Sequence, residues 1–324
     1  MNVVEALKNS ILATVAYYDS LDIALTPLEI FQLLINPKRW GEDFEKQPQL
    51  IDVINLFGEL VSVNRLVSCN GYFMFPGRQD LYERRVEREK ISAQKWKKLL
   101  RLAWWFQTIP FLQGIFASGS LALEGAGEKS DFDVLVIARA GRLYTCRLIL
   151  SGLASLMGAR RTWRDKVAPD KFCFNHYVTT DGLGIRHRSL YVAHGLAALV
   201  PVMDRGYTRR LAQANEWVQD FLPPLADTEY VRRSVRPSRI LSVVRGILEV
   251  VLNAWPERLL RAWQQRRIAR TPATHEKGGR IIADDRELEF HPRSFETTAL
   301  ARYHEALIHA GLGNYREHDS GLTT

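Results

Sequence analysis

Gly114-Ile-Phe-Ala-Ser-Gly-Ser-Leu-Ala-Leu-Glu-Gly-Ala-Gly-Glu-Lys-Ser-Asp-Phe-Asp-Val-Leu-Val-Ile137 is the stretch on which the reading of this chain turns. Gly114 to Ser118 is short, apolar and β-prone. Gly119-Ser120 follows and opens a helix from Leu121 toward Glu124, Gly125 to Ser130 reads as a loop, and Asp131 to Ile137 reads as a buried strand. A glycine at a strand-to-helix turn lets backbone approach a phosphate closely, and helix N-terminal amides supply positive partial charge. The Ser120 hydroxyl can donate to a terminal phosphate oxygen. Asp131 and Asp133 stand two apart on a strand, so both side chains point to one face. Two carboxylates so close repel, and one is driven toward protonation unless a divalent cation removes the conflict. Asp-x-Asp alone is common at strand starts, where it caps or faces solvent. With Gly-Ser, a ten-residue spacer (121–130) and strands on both sides it is far more specific.

This arrangement resembles the polymerase-beta-like nucleotidyltransferase superfamily, whose signature is an apolar residue, Gly-Gly or Gly-Ser, a short spacer and Asp-x-Asp in an apolar strand. The resemblance covers about 110–200, with the motif confined to 118–137. It implies that Asp131 and Asp133 hold Mg²⁺ (or Mn²⁺) and that Gly119 and Ser120 contact a nucleoside triphosphate. Family members usually carry a third carboxylate on a later strand, as general base and metal ligand. The next expected strand, Lys171-Phe-Cys-Phe-Asn-His-Tyr-Val178, contains no acid. Alternation puts Cys173, Asn175 and Tyr177 on one face and Phe174 and His176 on the other. Asn175 is then the natural occupant of the third place; it can ligate a metal but cannot act as a base at neutral pH. His176 can be the base only in a different register, and Asp170 and Asp181 flank the strand. Ser130, Arg142 and Lys171 are further candidates for nucleotide contact; Arg147, Arg160, Arg161 and Arg164 are the other basic residues nearby.

Upstream, Glu5 to Tyr18 has helical apolar spacing. Thr26-Pro27-Leu28-Glu29 supplies an N-cap, a first-turn proline and a capping-box acid for a second helix that ends before Pro37. A third helix is expected from Gln49 to about Glu59, followed by a hairpin around Asn70-Gly71. Three helices and a hairpin in that order suggest a winged-helix-like segment over 1–80. Its third helix has no basic residue and two acids, so sequence-specific DNA binding is not favoured. Residues 81–109 read as a charged connecting helix that turns aromatic at Trp104-Trp105-Phe106.

Downstream of the core (110–200), residues 201–324 read as mainly helical. Ser238 begins an amphipathic stretch with Ile240, Val243, Val244 and Ile247, studded with arginine. The expectation is a helix packed on its own domain with arginine toward solvent, without surface contact to a membrane. Thr271 to Glu289 reads as a loop, Ser294 to Ala310 as a final helix and the tail from His318 as frayed. The fold class expected is α/β (α+β): a nucleotidyltransferase core with a mixed sheet and flanking helices, after a winged-helix-like segment and before a helical region.

The basic balance favours anionic partners such as nucleotides, nucleic acid or lipid headgroups. The net charge is +8, yet residues 1–80 hold six Lys/Arg against ten Asp/Glu, so the positive field belongs to the rest. Three scattered cysteines with no C-x-x-C argue against disulfides and zinc. No secretion signal and no apolar run of about 18 residues is found, so a cytoplasmic protein without a membrane span is expected. The function expected is Mg²⁺-dependent transfer of a nucleoside monophosphate to an unidentified acceptor hydroxyl with release of pyrophosphate. The alternative is a nucleotide-binding sensor with an impaired core and a winged-helix output module.

Overall fold

The computed structural model describes residues 3–41, 47–162, 164–223, 233–254, 256–271, 280–291 and 294–313. The tail expected to fray from His318 lies outside these residues. The local signals near the N-terminus fold as read. Helix α1 spans Val3–Asp19 and α2 spans Pro27–Gln32. The α2 capping box forms: Glu29 N–H donates to Thr26 Oγ1 at 3.3 Å, and Thr26 N–H donates to Glu29 Oε2 at 2.8 Å. Helix α3 (Leu50–Ser62) buries Val53, Phe57 and Leu60, one stripe at helical spacing. Strands β1 (Val67–Cys69) and β2 (Tyr72–Met74) pair antiparallel around Asn70-Gly71, both left-handed at φ 48° and 87°.

These elements do not close a core by themselves. Tyr17, Tyr18, Val53 and Phe57 share one apolar cluster with Leu190 of α7 (Leu190–Ala197) and Tyr303 of α11 (Glu296–His309). At its centre His194 stacks on Tyr17 (4.0 Å, 15°), and its Nδ1 lies 3.1 Å from the Tyr18 hydroxyl. Burial pushes the His194 imidazole down to about 3, so the folded chain holds it neutral. A depressed histidine contributes stability above its unfolded value near 6.5 that is lost as pH falls toward 3. At about 1.36 kcal/mol per unit the whole span is worth on the order of 5 kcal/mol. Denaturant titrations between pH 7 and 5 should show proton uptake on unfolding that His194→Gln removes; the same slope in both proteins would assign the uptake elsewhere.

The second part of the fold is a mixed six-stranded sheet in the order β6-β3-β4-β5-β8-β7. Its strands are β3 (Leu112–Ala117), β4 (Phe132–Ala138), β5 (Phe172–Thr179), β6 (Val200–Asp204), β7 (Arg280–Ala283) and β8 (Glu287–His291). Only β4 and β5 run parallel, joined by α6 (Leu143–Leu156); the other pairs are antiparallel. Alternation along β4 divides the two sides. Phe132, Val134 and Val136 join the larger core with Trp96 and Leu99 of α4 (Asp80–Ala103) and Tyr144 and Leu150 of α6. Leu135 and Ile137 face the other way, onto Phe116, Val178, Leu183 and Leu211. Asp133 belongs to this second face, at the end where the apolar cluster stops.

Three expectations are corrected. Residues 271–289 are not all loop: β7 and most of β8 lie there and extend the sheet, because Glu287-Leu-Glu-Phe-His291 alternates and Leu288 enters the main core. The turn helix after β3 is α5, Gly119–Ala122, a single turn starting two residues earlier than expected. The amphipathic stretch breaks into α9 (Arg239–Leu252) and α10 (Glu257–Ala269), and the Ile/Val stripe of α9 is exposed, not packed on the domain. Among the described residues no helix is long and apolar enough to cross a membrane.

Candidate active site

The site is built where β3 ends and β4 begins. Ser118 is extended, and its N–H donates to the Asp133 carbonyl at 3.0 Å, carrying the β3–β4 ladder to its last rung. Gly119 then turns left-handed at φ +63°, where a side chain is strained. A Cβ there would stand 2.9 Å from Asp133 Oδ2, so glycine is what lets the turn and the carboxylate meet. The loop returns under firm control: Gly125 N–H donates to Ser120 O at 2.8 Å, and Gly127 N–H donates to Ser130 Oγ at 3.0 Å. Ser130 Oγ also lies 3.4 Å from Ser120 Oγ, so these two hydroxyls and Gly119 share one rim.

Lys95 of α4, almost fully buried, pins the segment that delivers Asp131. Its Nζ donates to the carbonyls of Glu128 (3.0 Å) and Ser130 (2.8 Å) and to Asp170 Oδ1 (2.6 Å). Lys98 takes the other Asp170 oxygen at 2.8 Å. Burial works against the Asp170 charge, but the two lysines outweigh it and leave its carboxyl below the usual range. Asp170 is therefore a strut of the loop, with both oxygens engaged. Asp181, the other flanking acid, sits past the far end of β5 beside Thr179 and Arg286.

Asp131 pairs with Arg161, while Asp133 carries the electrostatic conflict. Burial first, and the Asp131 charge second, raise the Asp133 carboxyl to about 7; Arg161, Cys173 and Asn175 offset this only in part. On β5 the partner of Asp133 is Cys173, and one ligand atom each from Asp131, Asp133 and Cys173 lies within 4.8 Å of the others. Burial and the neighbouring carboxylates push the Cys173 thiol up, so it stays protonated and competes poorly for a cation. Asn175 reaches Asp133 at a long 3.4 Å, Nδ2 to Oδ1, and stands 3.5 Å from His291 Nδ1.

The expected alternation of β5 fails after Asn175. The register moves from Asp133↔Cys173 to Leu135↔His176, a bulge that sets two β5 residues against one on β4. Tyr177 goes to the main core, where its ring meets Phe174 at 6.4 Å, and His176 joins the face of Asp133 and Asn175. There His176 Nε2 lies 3.1 Å from Glu287 Oε1. Glu287 and Glu289 are both buried, opposite Val178 and His176 on β5. Glu289 Oε1 accepts from Arg280 at 2.8 Å, and burial pushes the nearby His291 imidazole down to about 4. Ligand atoms of His176, Glu287 and Glu289 also lie within 4.8 Å of one another, although Arg280 already neutralises Glu289.

The structure thus brings together Gly119, Ser120, Ser130, Asp131, Asp133 and Asn175. Lys171 is adjacent through its backbone, its carbonyl accepting from Phe132 N–H at 2.8 Å, while its amine turns to Asp165 at 3.6 Å. Arg142 is not at the site. It stands beyond the opposite end of β4, donates to Asn253 Oδ1 at 3.0 Å and covers the Phe111 ring at 5.3 Å. Arg147 is buried against Phe290 (5.2 Å) and donates to Gln264 Oε1 at 2.8 Å. Among the basic residues considered, Arg161 is the one that reaches the aspartates. The β8 acids and Arg280 escaped the sequence reading, although Arg280-Ile-Ile-Ala, Asp284-Asp285 and Glu287-Leu-Glu-Phe-His are a hairpin signal. No protein-family model matches this chain, and neither a curated protein nor a solved structure does.

Proposed function

We propose that this protein is a Mg²⁺- or Mn²⁺-dependent nucleotidyltransferase, moving a nucleoside monophosphate from a triphosphate to an acceptor hydroxyl with release of pyrophosphate. The observation that carries the reading is the meeting of the Gly119 turn with the paired carboxylates of Asp131 and Asp133 across β3 and β4. The donor set suits a hard cation. Two carboxylates share one small space, one of them held from ionising, and a divalent ion is the charge that such a pair lacks. Asp131 and Asp133 would hold it, and once bound it would withdraw charge from the phosphate oxygens. In this reading Gly119 N–H and the hydroxyls of Ser120 and Ser130 would receive the triphosphate, and Arg161 would follow its charge. On β5, His176 is the side chain on the site face able to take a proton, with Glu287 behind it to hold the ring. In this reading residues 110–200 are the transferase core and residues 1–80 a winged-helix-like module.

The test is incubation with labelled nucleoside triphosphates and Mg²⁺ or Mn²⁺, with wild type against Asp131→Ala plus Asp133→Ala. Transfer in the wild type alone supports the reading; equal nucleotide binding and transfer in the double variant would remove the site assignment. One observation favours the sensor alternative: the β5 side chains that touch Asp133 are Cys173 and Asn175, neither of them an acid. Asn175→Asp separates the two. A working enzyme should gain less than about 10²-fold in transfer, the low end of what one positioned acid–base group contributes. A silent wild type that the substitution switches on would mark a nucleotide-binding sensor.

A further inference from the structure

Helix α9 carries apolar side chains on both its inner and its outer side. The side against the body of the protein carries Leu241, Arg245, Leu248, Glu249 and Leu252. Glu249 there accepts from Phe111 N–H at 3.0 Å and pairs with Arg139 at 2.9 Å. The outer side carries Ile240, Val243, Val244, Ile247, Val250 and Val251, between 39% and 78% exposed. Their spacing puts them on one stripe about 16 Å long. Leu259 and Trp263 are further exposed apolar side chains on α10, at 68% and 49%. Trp105 is 48% exposed on the 3₁₀ turn Trp104–Thr108, where Gln107 Oε1 accepts from Ser238 N–H at the start of α9. Single exposed apolar side chains are ordinary, but a continuous stripe of β-branched residues on a helix that turns its acid inward marks a covered surface.

The charges around the stripe select what covers it. Residues 238–270 carry seven arginines against two glutamates. Both glutamates face the body: Glu249 as above, and Glu257 by capping α6, accepting from Tyr144 N–H at 2.7 Å. Arg239, Arg258, Arg266 and Arg270 are exposed and make no ion pair among the described residues. Arg267 lies over the Trp263 ring at 5.7 Å. A second copy docked by two-fold symmetry would set this arginine rim against itself, with no outward acid on the segment to receive it. An anionic bilayer offers acyl chains to the stripe and phosphates to the rim at once.

We infer that α9 and α10 form an in-plane anchor for an anionic membrane surface. The Ile/Val stripe, Leu259 and Trp263 enter the boundary between headgroups and acyl chains, and the exposed arginines contact lipid phosphate. The helices lie on the bilayer and do not cross it. This is independent of the reaction catalysed at Asp131 and Asp133.

The test is co-sedimentation of the full chain with vesicles of phosphatidylcholine alone or with 30–40% (roughly) phosphatidylglycerol, at low and high salt. Wild type should bind the anionic vesicles at least about ten-fold more tightly than the neutral ones, with high salt weakening the difference. Val243→Asp plus Ile247→Asp should abolish binding while leaving circular dichroism unchanged, since both side chains already face solvent. Arg258→Glu plus Arg266→Glu should remove the preference for anionic lipid. Equal sedimentation of wild type and the double aspartate variant would overturn the proposal. So would a wild type that ignores vesicles but is a dimer by light scattering, made monomeric by the aspartates; the stripe would then be an interface between copies.

Discussion

Asp133→Asn is expected to stabilise the metal-free protein while removing Mg²⁺-dependent transfer. The carboxyl of Asp133 is raised from 3.8 to about 7 by burial and by Asp131. A raised carboxyl means that the folded chain holds the proton more tightly than the unfolded chain. The stabilisation is full below pH 3.8 and is lost as pH rises through about 7. Above that range wild type keeps an unfavourable buried charge that the amide lacks. With water reaching part of the side chain, the difference should be roughly 2 kcal/mol at pH 8, and the two proteins should converge near pH 4. Mg²⁺ should close the gap from the other side by stabilising wild type alone. Transfer should fall by about 10²- to 10³-fold, the scale on which removing a charge-stabilising group acts. Thermal melts of both proteins at pH 4, 6 and 8, with and without Mg²⁺, check this. A variant less stable than metal-free wild type at pH 8 would show that the paired carboxylates are not in conflict.

Gly119→Ala should damage the candidate site severely. Two effects combine in it. At φ +63° a side chain costs about 1 kcal/mol in the backbone alone. The new Cβ would stand 2.9 Å from Asp133 Oδ2, so the turn must open or the carboxylate must swing off its position. An ångström of misplacement at a reacting centre costs about 10²-fold in rate, which is the loss expected in transfer. Gly58 is the control: it lies in α3 with nothing within 4 Å of a built Cβ. Alanine there should raise stability by up to about 1 kcal/mol without touching transfer. Wild-type kinetics in Gly119→Ala would mean that the Gly119 turn does not cradle the reacting phosphates.

The features that were legible in the sequence are local ones. The Thr26–Glu29 capping box, the Asn70-Gly71 hairpin and the Ser118-Gly119-Ser120 turn each depend on backbone and side-chain chemistry within a few residues. Asp131 and Asp133 share a face because alternation along a strand is a property of the strand itself. The reading of β5 failed where a local rule met a tertiary one. Phe172, Phe174 and Tyr177 all belong with the larger core, and strict alternation cannot put Tyr177 beside Phe174. A one-residue bulge does, and it moves His176 to the side of Asp133 as a consequence.

By itself, then, the sequence determined the strand–turn–strand unit and its paired carboxylates, since the Gly119 turn, its returning loop bonds and the β3–β4 ladder close within 24 residues of chain. Tertiary structure decided what surrounds that unit. Glu287, Glu289 and Arg280 come to the site face from more than 100 residues away, because pairing of β5 with β8 buries Leu288. Arg161 and not Arg142 reaches the aspartates because β4 carries their neighbourhoods to opposite ends. The spacing in α9 fixed that it has an apolar stripe, but which side meets the body depended on partners: Glu249 is held inward by Phe111 N–H and Arg139. Periodicity gives a helix its faces, and only packing assigns each face a neighbour.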